Sequence, residues 1–382
     1  MFVPEGFLFS AVSCGIKKED KLDLGLIYSS EKLTAWGVFT KNIVKAAPVI
    51  LGKKLIKGKE IFGIVANSGV ANACTGDEGL VKAQNLLEEI AKRFKLSYKN
   101  FLPASTGVIG EQLPLNKILP KIEKLISGLT PDNYISFAKA IMTTDTFPKI
   151  VSKKTIDDIV VMGIAKGAGM IAPNMATMLG FILTDAIVSK ETLKKLLPKM
   201  VDQSFNRITV DSDTSTNDTV YMLCSNRKEI KDWDSFENTC KKVAKELAYL
   251  IIKDGEGASK VIKITIKGAK TKEEAKNLAF AIANSPLVKT AFYGGDPNWG
   301  RIFAALGKTG IYFHLDKIEI YLNNHLWIKD LKVATNEDIL KDEIQKEEIE
   351  LLIKLKDGKQ SYEVLTTDLT EEYVKINAHY RT

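Results

Sequence analysis

Apolar positions along this chain alternate between a strand-like and a helix-like period. Ile61-Phe-Gly-Ile-Val-Ala66 is a short apolar run and predicts a strand. It leads into a loop of small residues, Asn67 to Asp77. Beyond the loop, Ala83, Leu86, Leu87, Ile90 and Phe94 recur at i, i+3, i+4, i+7 and i+11, which predicts a helix with one apolar face. Thr130-Pro131 reads as a helix start, a capping residue followed by proline, with the end near Met142 to Thr146. Asp158 to Ala165 and Leu179 to Val188 read as strands. Ser189 caps a predicted helix carrying Leu193, Leu196, Leu197 and Met200, with Pro198 inside it as a source of a kink.

Further on, Arg207 to Asp213 and Thr219 to Cys224 read as strands around a polar turn, Thr214 to Asp218. Phe236 to Ile252 places Cys240, Val243, Ala244, Leu247 and Ile251 on one helical face and stops at Asp254-Gly255. Val261 to Ile266 alternates as a strand, and Thr271-x-x-Glu274 is a capping box ahead of Ala275, Leu278, Ala279 and Ile282. Glu337 to Lys359, rich in Lys and Glu, reads as solvated surface, and Tyr373 to Ile376 as a short strand before the tail. Strands and helices that alternate throughout argue an α/β or α+β fold, with a strand–helix–strand unit around 260–310 as a second, smaller domain.

Composition narrows the class without changing that picture. The chain has 382 residues, 45% hydrophobic and 26% charged, an ordinary globular balance with room for one large or two medium cores. No apolar run is long enough to span a membrane, and the first ten residues lack the basic region of a signal peptide, so a cytoplasmic location is expected. Cys14, Cys74, Cys224 and Cys240 are scattered and read as reduced, partly buried thiols, and three histidines without clustered partners point to no metal site. A net charge of +7, carried mostly by dispersed lysines without interleaved aromatics, suits small anionic substrates rather than nucleic acid.

Chemistry concentrates in Lys166-Gly-Ala-Gly-Met-Ile-Ala-Pro-Asn-Met-Ala-Thr177-Met-Leu-Gly180, between two predicted strands. If the chain is cut just before Thr177, the freed α-amine can serve as base for the Thr hydroxyl, and no histidine is needed. Ala176 is small, which leaves room for the acyl shift such a cut requires, and Pro173 stiffens the approach. Lys166 can return across the loop, keep that amine neutral and attract a carboxylate. Pro103-Ala-Ser-Thr-Gly107 is a polar, glycine-ended turn of the kind that can aim a hydroxyl and a backbone N–H at one oxyanion. There is no GxSxG, no GxxxxGK[ST], and the third glycine of a dinucleotide fingerprint is replaced by Ala172.

These motifs resemble the ornithine acetyltransferases, also called glutamate N-acetyltransferases. The resemblance rests on Lys166 to Leu179 and runs through Ala66 to Gly76, Ser105 to Gly110 and Thr143 to Thr146. It continues through Val210 to Asp218, Gly255 to Ala258, Gly294 to Arg301 and Asn377 to Thr382. It implies an α+β fold, an N-terminal-nucleophile-like αββα sandwich with a smaller α/β domain at about 260–382. It implies self-cleavage between Ala176 and Thr177 into chains of residues 1–176 and 177–382, with Thr177 as nucleophile and Thr106 and Gly107 as the oxyanion hole. Thr143, Lys166, Thr177, Glu256, Asn377 and Thr382 match its substrate-binding positions. The implied reaction moves acetyl from N2-acetylornithine to glutamate, without a metal or a bound cofactor, in an α2β2 heterotetramer. The family has one-reaction members and two-reaction members that also draw acetyl from acetyl-CoA, and both alternatives stand. By itself, Glu256 in its Asp-Gly-Glu-Gly turn reads as exposed, and Asn377 and Thr382 as a frayed tail. The rival reading is a self-processing aminopeptidase or amidohydrolase that uses the same Thr177 with water as acceptor.

Overall fold

The computed structural model describes residues 1–18, 20–58, 60–172 and 178–379. The chain divides into two compact units, Met1–Asn206 with Asp213–Ile251, and Arg207–Ser212 with Ile252–Thr382. The first unit holds β1 (Leu8–Val12), β2 (Leu24–Phe39), β3 (Ile61–Asn67), β4 (Phe101–Ser105), β5 (Lys149–Lys154), β6 (Val160–Lys166), β7 (Leu179–Ala186) and β8 (Thr219–Lys228). They hydrogen-bond in the order β4-β3-β2-β8-β7-β6-β5, with β1 added to β2.

The long β2 joins two half-sheets. Leu24–Tyr28 pair with β1 and β3, whereas Thr34–Phe39 pair with β8, and exposed Ser30, Glu31 and Lys32 lie between. One apolar cluster draws on both halves, with Ile64, Val65 and Leu102 from one and Met162, Ile164, Phe181 and Leu223 from the other. Tyr221 of β8 donates its hydroxyl to the carbonyl of Pro103 in β4 at 3.1 Å. Helices cover the outer faces. On the side of β4 lies Gly76–Arg93, which buries Ala83, Leu86, Leu87 and Ile90, each large side chain contributing about 1.5–3 kcal/mol. The helix Trp233–Lys253 approaches β6 so closely that a Cβ on Gly163 would lie 2.4 Å from Leu247. Every residue of β6 and β7 is buried, which explains their near-continuous apolar sequence. The fold is α+β, as expected.

In the second unit β9 (Val261–Ala269), β10 (Glu319–Leu322), β11 (His325–Lys329), β12 (Lys332–Val333), β13 (Glu348–Lys354) and β14 (Gln360–Thr367) form one sheet. Its order is β12-β11-β10-β13-β9-β14, with β9 and β13 parallel and the other pairs antiparallel. Thr271 caps the helix Lys272–Ala283 by accepting from the Glu274 amide at 3.1 Å, and that helix buries Ala275, Leu278, Ala279 and Ile282.

Four local expectations are corrected. Arg207 to Asp213 forms no strand; one bridge ties Ile208 to Leu365, because Val210 gives its carbonyl to the Lys289 ammonium at 2.8 Å instead of to a neighbouring strand. Tyr373 to Ile376 lies in a helix, Glu371–Ala378, because Thr370 caps it by accepting from the Tyr373 amide. Thr130 does not cap with its side chain; its backbone exchanges hydrogen bonds with Phe9, and the helix Tyr134–Ile141 begins one 3-10 turn later. The Lys/Glu-rich stretch is surface on one face only. Its helix Glu337–Ile344 buries Leu340 and Ile344, and β13 buries Ile349, Leu351 and Ile353 in the middle of the sheet. Of the thiols, Cys74 is exposed and the other three are buried.

Candidate active site

The first group of site residues gathers where β4 and β6 end. Parallel pairing of β3 with β4 sets Asn67 beside Ser105, and the Ser105 hydroxyl donates to Asn67 Oδ1 at 2.6 Å. Asn217 Nδ2 donates to the carbonyls of Ala71 and Ser105, at 2.7 and 2.8 Å, and the Thr106 amide donates to the Asn67 carbonyl at 3.0 Å. The turn carrying Thr106 and Gly107 is therefore fastened by buried amides rather than left as a loose loop. Gly107 has φ +131, and a Cβ there would lie 2.2 Å from the Gly69 backbone, so only glycine fits.

Lys166 closes β6 and is 4% exposed. Its ammonium donates to Thr143 Oγ1 at 2.7 Å and to Thr106 Oγ1 at 3.4 Å. Three of the predicted residues, Thr106, Thr143 and Lys166, are thus brought together. Beneath them lies Asp145, whose side chain is fully buried. Its Oδ1 accepts from Lys149 Nζ at 2.6 Å and from the Gly167 amide at 2.7 Å, and its Oδ2 accepts from the Thr143 amide at 2.9 Å. Lys166 Nζ stands 3.9 Å from the same Oδ2. Burial alone would raise this carboxyl, but the Lys166 and Lys149 charges and the hydrogen bonds hold it at about 2. A cavity of about 590 Å³ opens beside Thr143 and Asp145, with Lys17, Lys21 and Lys139 also in its wall. Burial lowers Lys17 to about 8 there.

Antiparallel pairing of β6 with β7 sets Lys166 opposite Leu179, so the chain leaves and re-enters the sheet at adjacent points. Met178 is held on both sides. Its amide donates to Asp218 Oδ1 at 2.9 Å, and its carbonyl accepts from the Thr219 amide at 3.1 Å. Asp218 is fully buried, its Oδ2 has no hydrogen-bond partner among the described residues, and burial pushes its pKa well above the usual carboxylate range. Ala176 and Thr177, on which the expected cut and nucleophile fall, lie outside the described residues, as does Thr382.

Glu256 and Asn377 form a second group, in the second unit. Glu256 is 8% exposed, which corrects the exposed reading of its turn: Asn377 Nδ2 donates to Glu256 Oε2 at 2.8 Å and to the Tyr373 carbonyl at 3.0 Å. Asn377 itself is exposed, yet it is the last turn of an anchored helix and not a frayed tail. The Thr370 hydroxyl donates to the Gly257 carbonyl at 2.6 Å, and the Tyr373 hydroxyl lies 3.2 Å from Asp211 Oδ2. Gly257, at φ +65, lets the Tyr373 amide come within 2.4 Å of where a Cβ would stand.

Sequence reasoning missed Asp145, Lys149, Asn217 and Asp218. A signal was available for three of them, since Asp145 lies inside the Thr143–Thr146 motif and Asn217 and Asp218 inside Val210–Asp218. Lys149 lies outside these motifs and resembles an ordinary surface residue until the strands around it are in place.

Comparison with known proteins adds the rest. A model of the ArgJ family matches residues 8–382. The arginine biosynthesis bifunctional protein ArgJ of Thermotoga neapolitana is 46% identical over 402 aligned positions that span the whole of both chains. Its counterpart from Desulfotalea psychrophila is 45% identical and covers 99% of each. The crystal structure of the same-named protein from Bacillus halodurans superposes with a TM-score of 0.50 at 34% identity, over 52% of this chain and 97% of that one. Likeness of that extent places the molecule among the acyltransferases of arginine biosynthesis. The chain belongs to the ArgJ family. No helix among the described residues is long and apolar enough to cross a membrane.

Proposed function

We propose that this enzyme transfers acetyl from N2-acetylornithine to glutamate through an ester on Thr177. The precursor first cuts itself. The Thr177 hydroxyl attacks the Ala176 carbonyl, the C–N bond breaks as the acyl group shifts from nitrogen to oxygen and frees the Thr177 amine, and water then hydrolyses the ester to release the Thr177 hydroxyl and the Ala176 carboxylate. In turnover the Thr177 oxygen attacks the acetyl carbonyl of N2-acetylornithine while the Thr177 amine takes the hydroxyl proton. The C–N bond then breaks, and that proton passes to the departing nitrogen of ornithine. The glutamate amine attacks the acetyl ester, the C–O bond to Thr177 breaks, the proton given up by that amine passes through the Thr177 amine to the Thr177 oxygen, and N-acetylglutamate leaves. Thr106, through its hydroxyl, and Gly107, through its amide, stabilise the oxyanion in each step. Lys166 and Thr143 take the carboxylate or acetamido group, Glu256 with Asn377 takes the ammonium of ornithine, and the Thr382 carboxylate completes substrate binding.

The observation that carries this reading is the buried Lys166 ammonium, within hydrogen-bond reach of both the Thr106 and Thr143 hydroxyls. Met178, clamped at the foot of β7, supports it by fixing the backbone next to Thr177 in sequence. The proposal extends to a cytoplasmic α2β2 assembly and to acetyl-CoA as a second donor. The deciding measurement pairs the denatured mass of freshly made untagged protein with product analysis after mixing N2-acetylornithine and glutamate. Two fragments, the second beginning at Thr177, together with N-acetylglutamate are expected, and Thr177→Ala should abolish both. An uncut chain that makes no N-acetylglutamate overturns the reading. Release of ornithine and acetate without N-acetylglutamate turns it into the amidohydrolase.

A further inference from the structure

Lys149 is a costly residue in its position. Its side chain has no solvent exposure, and it lies 2.6 Å from the Asp145 carboxylate and 5.0 Å from the centroid of the Phe147 ring. Burying a salt bridge seldom adds net stability, because desolvation of both ions offsets their attraction. Bracing the Thr143 and Gly167 amides would need only an uncharged acceptor at position 145. The paired charges therefore ask for another explanation, and Lys166 supplies it, 3.9 Å from the oxygen that Lys149 does not take.

We infer that Asp145 and Lys149 are positioning residues that fix both the place and the net charge of Lys166. Asp145 holds three points of the site at once, the Thr143 amide, the Gly167 amide and the Lys166 ammonium. Alone, it would also neutralise Lys166 and spend the charge that draws a substrate carboxylate. Lys149 balances Asp145 on Oδ1, whereas Lys166 faces Oδ2. The Asp145 carboxylate and the Lys149 and Lys166 ammonium groups together sum to +1. Lys17, which donates to the Met142 carbonyl at 3.1 Å and feels both Asp145 and Lys166, adds to the same positive field. The inference rests on Lys166 as the carboxylate-binding cation of the proposed transferase.

The test is a charge-swap cycle on the full, self-processed protein, read as kcat and KM for glutamate and as glutamate binding by calorimetry. Lys149→Met takes the cluster to zero. It should raise the glutamate KM and the calorimetric Kd about tenfold or more, by a larger factor than it lowers kcat. Asp145→Asn combined with Lys149→Met returns the cluster to +1, and should bring KM back to within about threefold of the parent. A purely structural pair predicts the reverse, with the double variant at least as impaired as Lys149→Met; that result, or an unchanged KM in Lys149→Met, overturns the inference. If Lys149→Met does not fold, the double variant decides alone, since a KM more than about tenfold above the parent contradicts charge balance. A parent that makes no N-acetylglutamate points instead at the functional reading, and the two failures stay separate.

Discussion

Asp145, just ahead of β5, and Asp218, at the foot of β8, are both buried carboxyls of the first unit, held in opposite protonation regimes. Burial pushes each toward the neutral acid. Around Asp145, two ammonium groups and two backbone amides reverse that push and keep it ionised. Around Asp218, one backbone amide, the more distant Lys166 charge and the Thr40 side chain are too little, and desolvation wins. Depth does not set the charge of a carboxyl here; the cations within about 4 Å do. Asp145 can thus serve as a fixed negative anchor, and Asp218 as an acceptor, biased by burial toward its uncharged form, that fastens Met178.

The sharpest way to break this contrast is Asp145→Asn. It takes the carboxylate from the buried Lys149 ammonium, and chemical denaturation should show a loss of about 3–5 kcal/mol. A loss below about 1 kcal/mol would mean that other contacts hold the Lys149 ammonium or that it gives up its proton. Next in size is Asp218→Ala, which takes the acceptor from the buried Met178 amide and should cost about 1–3 kcal/mol. Asp218→Asn keeps an acceptor and swaps one neutral group for another, so the same measurement should give less than about 1 kcal/mol. A large loss in Asp218→Asn would place a charged carboxylate at that position.

The pH dependence sharpens the comparison further. The folded pKa of Asp145 lies below its unfolded value, so its contribution is complete above about pH 4 and disappears as pH falls toward 2. The folded pKa of Asp218 lies above its unfolded value, so its contribution is complete below about pH 4 and is lost as pH rises through the folded value. Thermal melts of Asp218→Asn should therefore gain on the parent as pH rises from 5 to 8, and a constant difference across that range would contradict a raised Asp218. The smallest expected effect is at Lys341, whose exposed pair with Glu337 spans 2.9 Å. Replacing it with alanine should leave the melting curve within error, because exposed pairs contribute little.

Much of the fold was legible from the chain. Leu86, Leu87 and Ile90 are buried along the helix their spacing predicts, and Ser189 and Thr271 cap where their positions suggested. Those features follow from local periodicity and local hydrogen bonds. The errors fall where a distant partner decides. Tyr373 to Ile376 looked extended until Thr370 and Gly257 anchored a helix there, and Ile208 and Val210 alternated like a strand that finds one bridge and one lysine. In the site, hydroxyls and glycines stood out by type and setting. Asp145, Lys149 and Asp218 did not, since a charged residue shows its burial only when the sheet closes around it.

The bridge between Ile208 and Leu365 bears on the order of events at the ribosome. Residues 207–212 belong to the second unit, yet they are made before β8 and the helix Trp233–Lys253 of the first. Leu365 in β14 emerges far later, on the order of ten seconds at about 5–20 residues per second. Throughout that interval Ile208 and Val210 have no sheet to join, and the second unit stays open at its last strand. A nascent chain stalled between β13 and β14 should leave this short segment accessible to protease, and release of the full chain should close it.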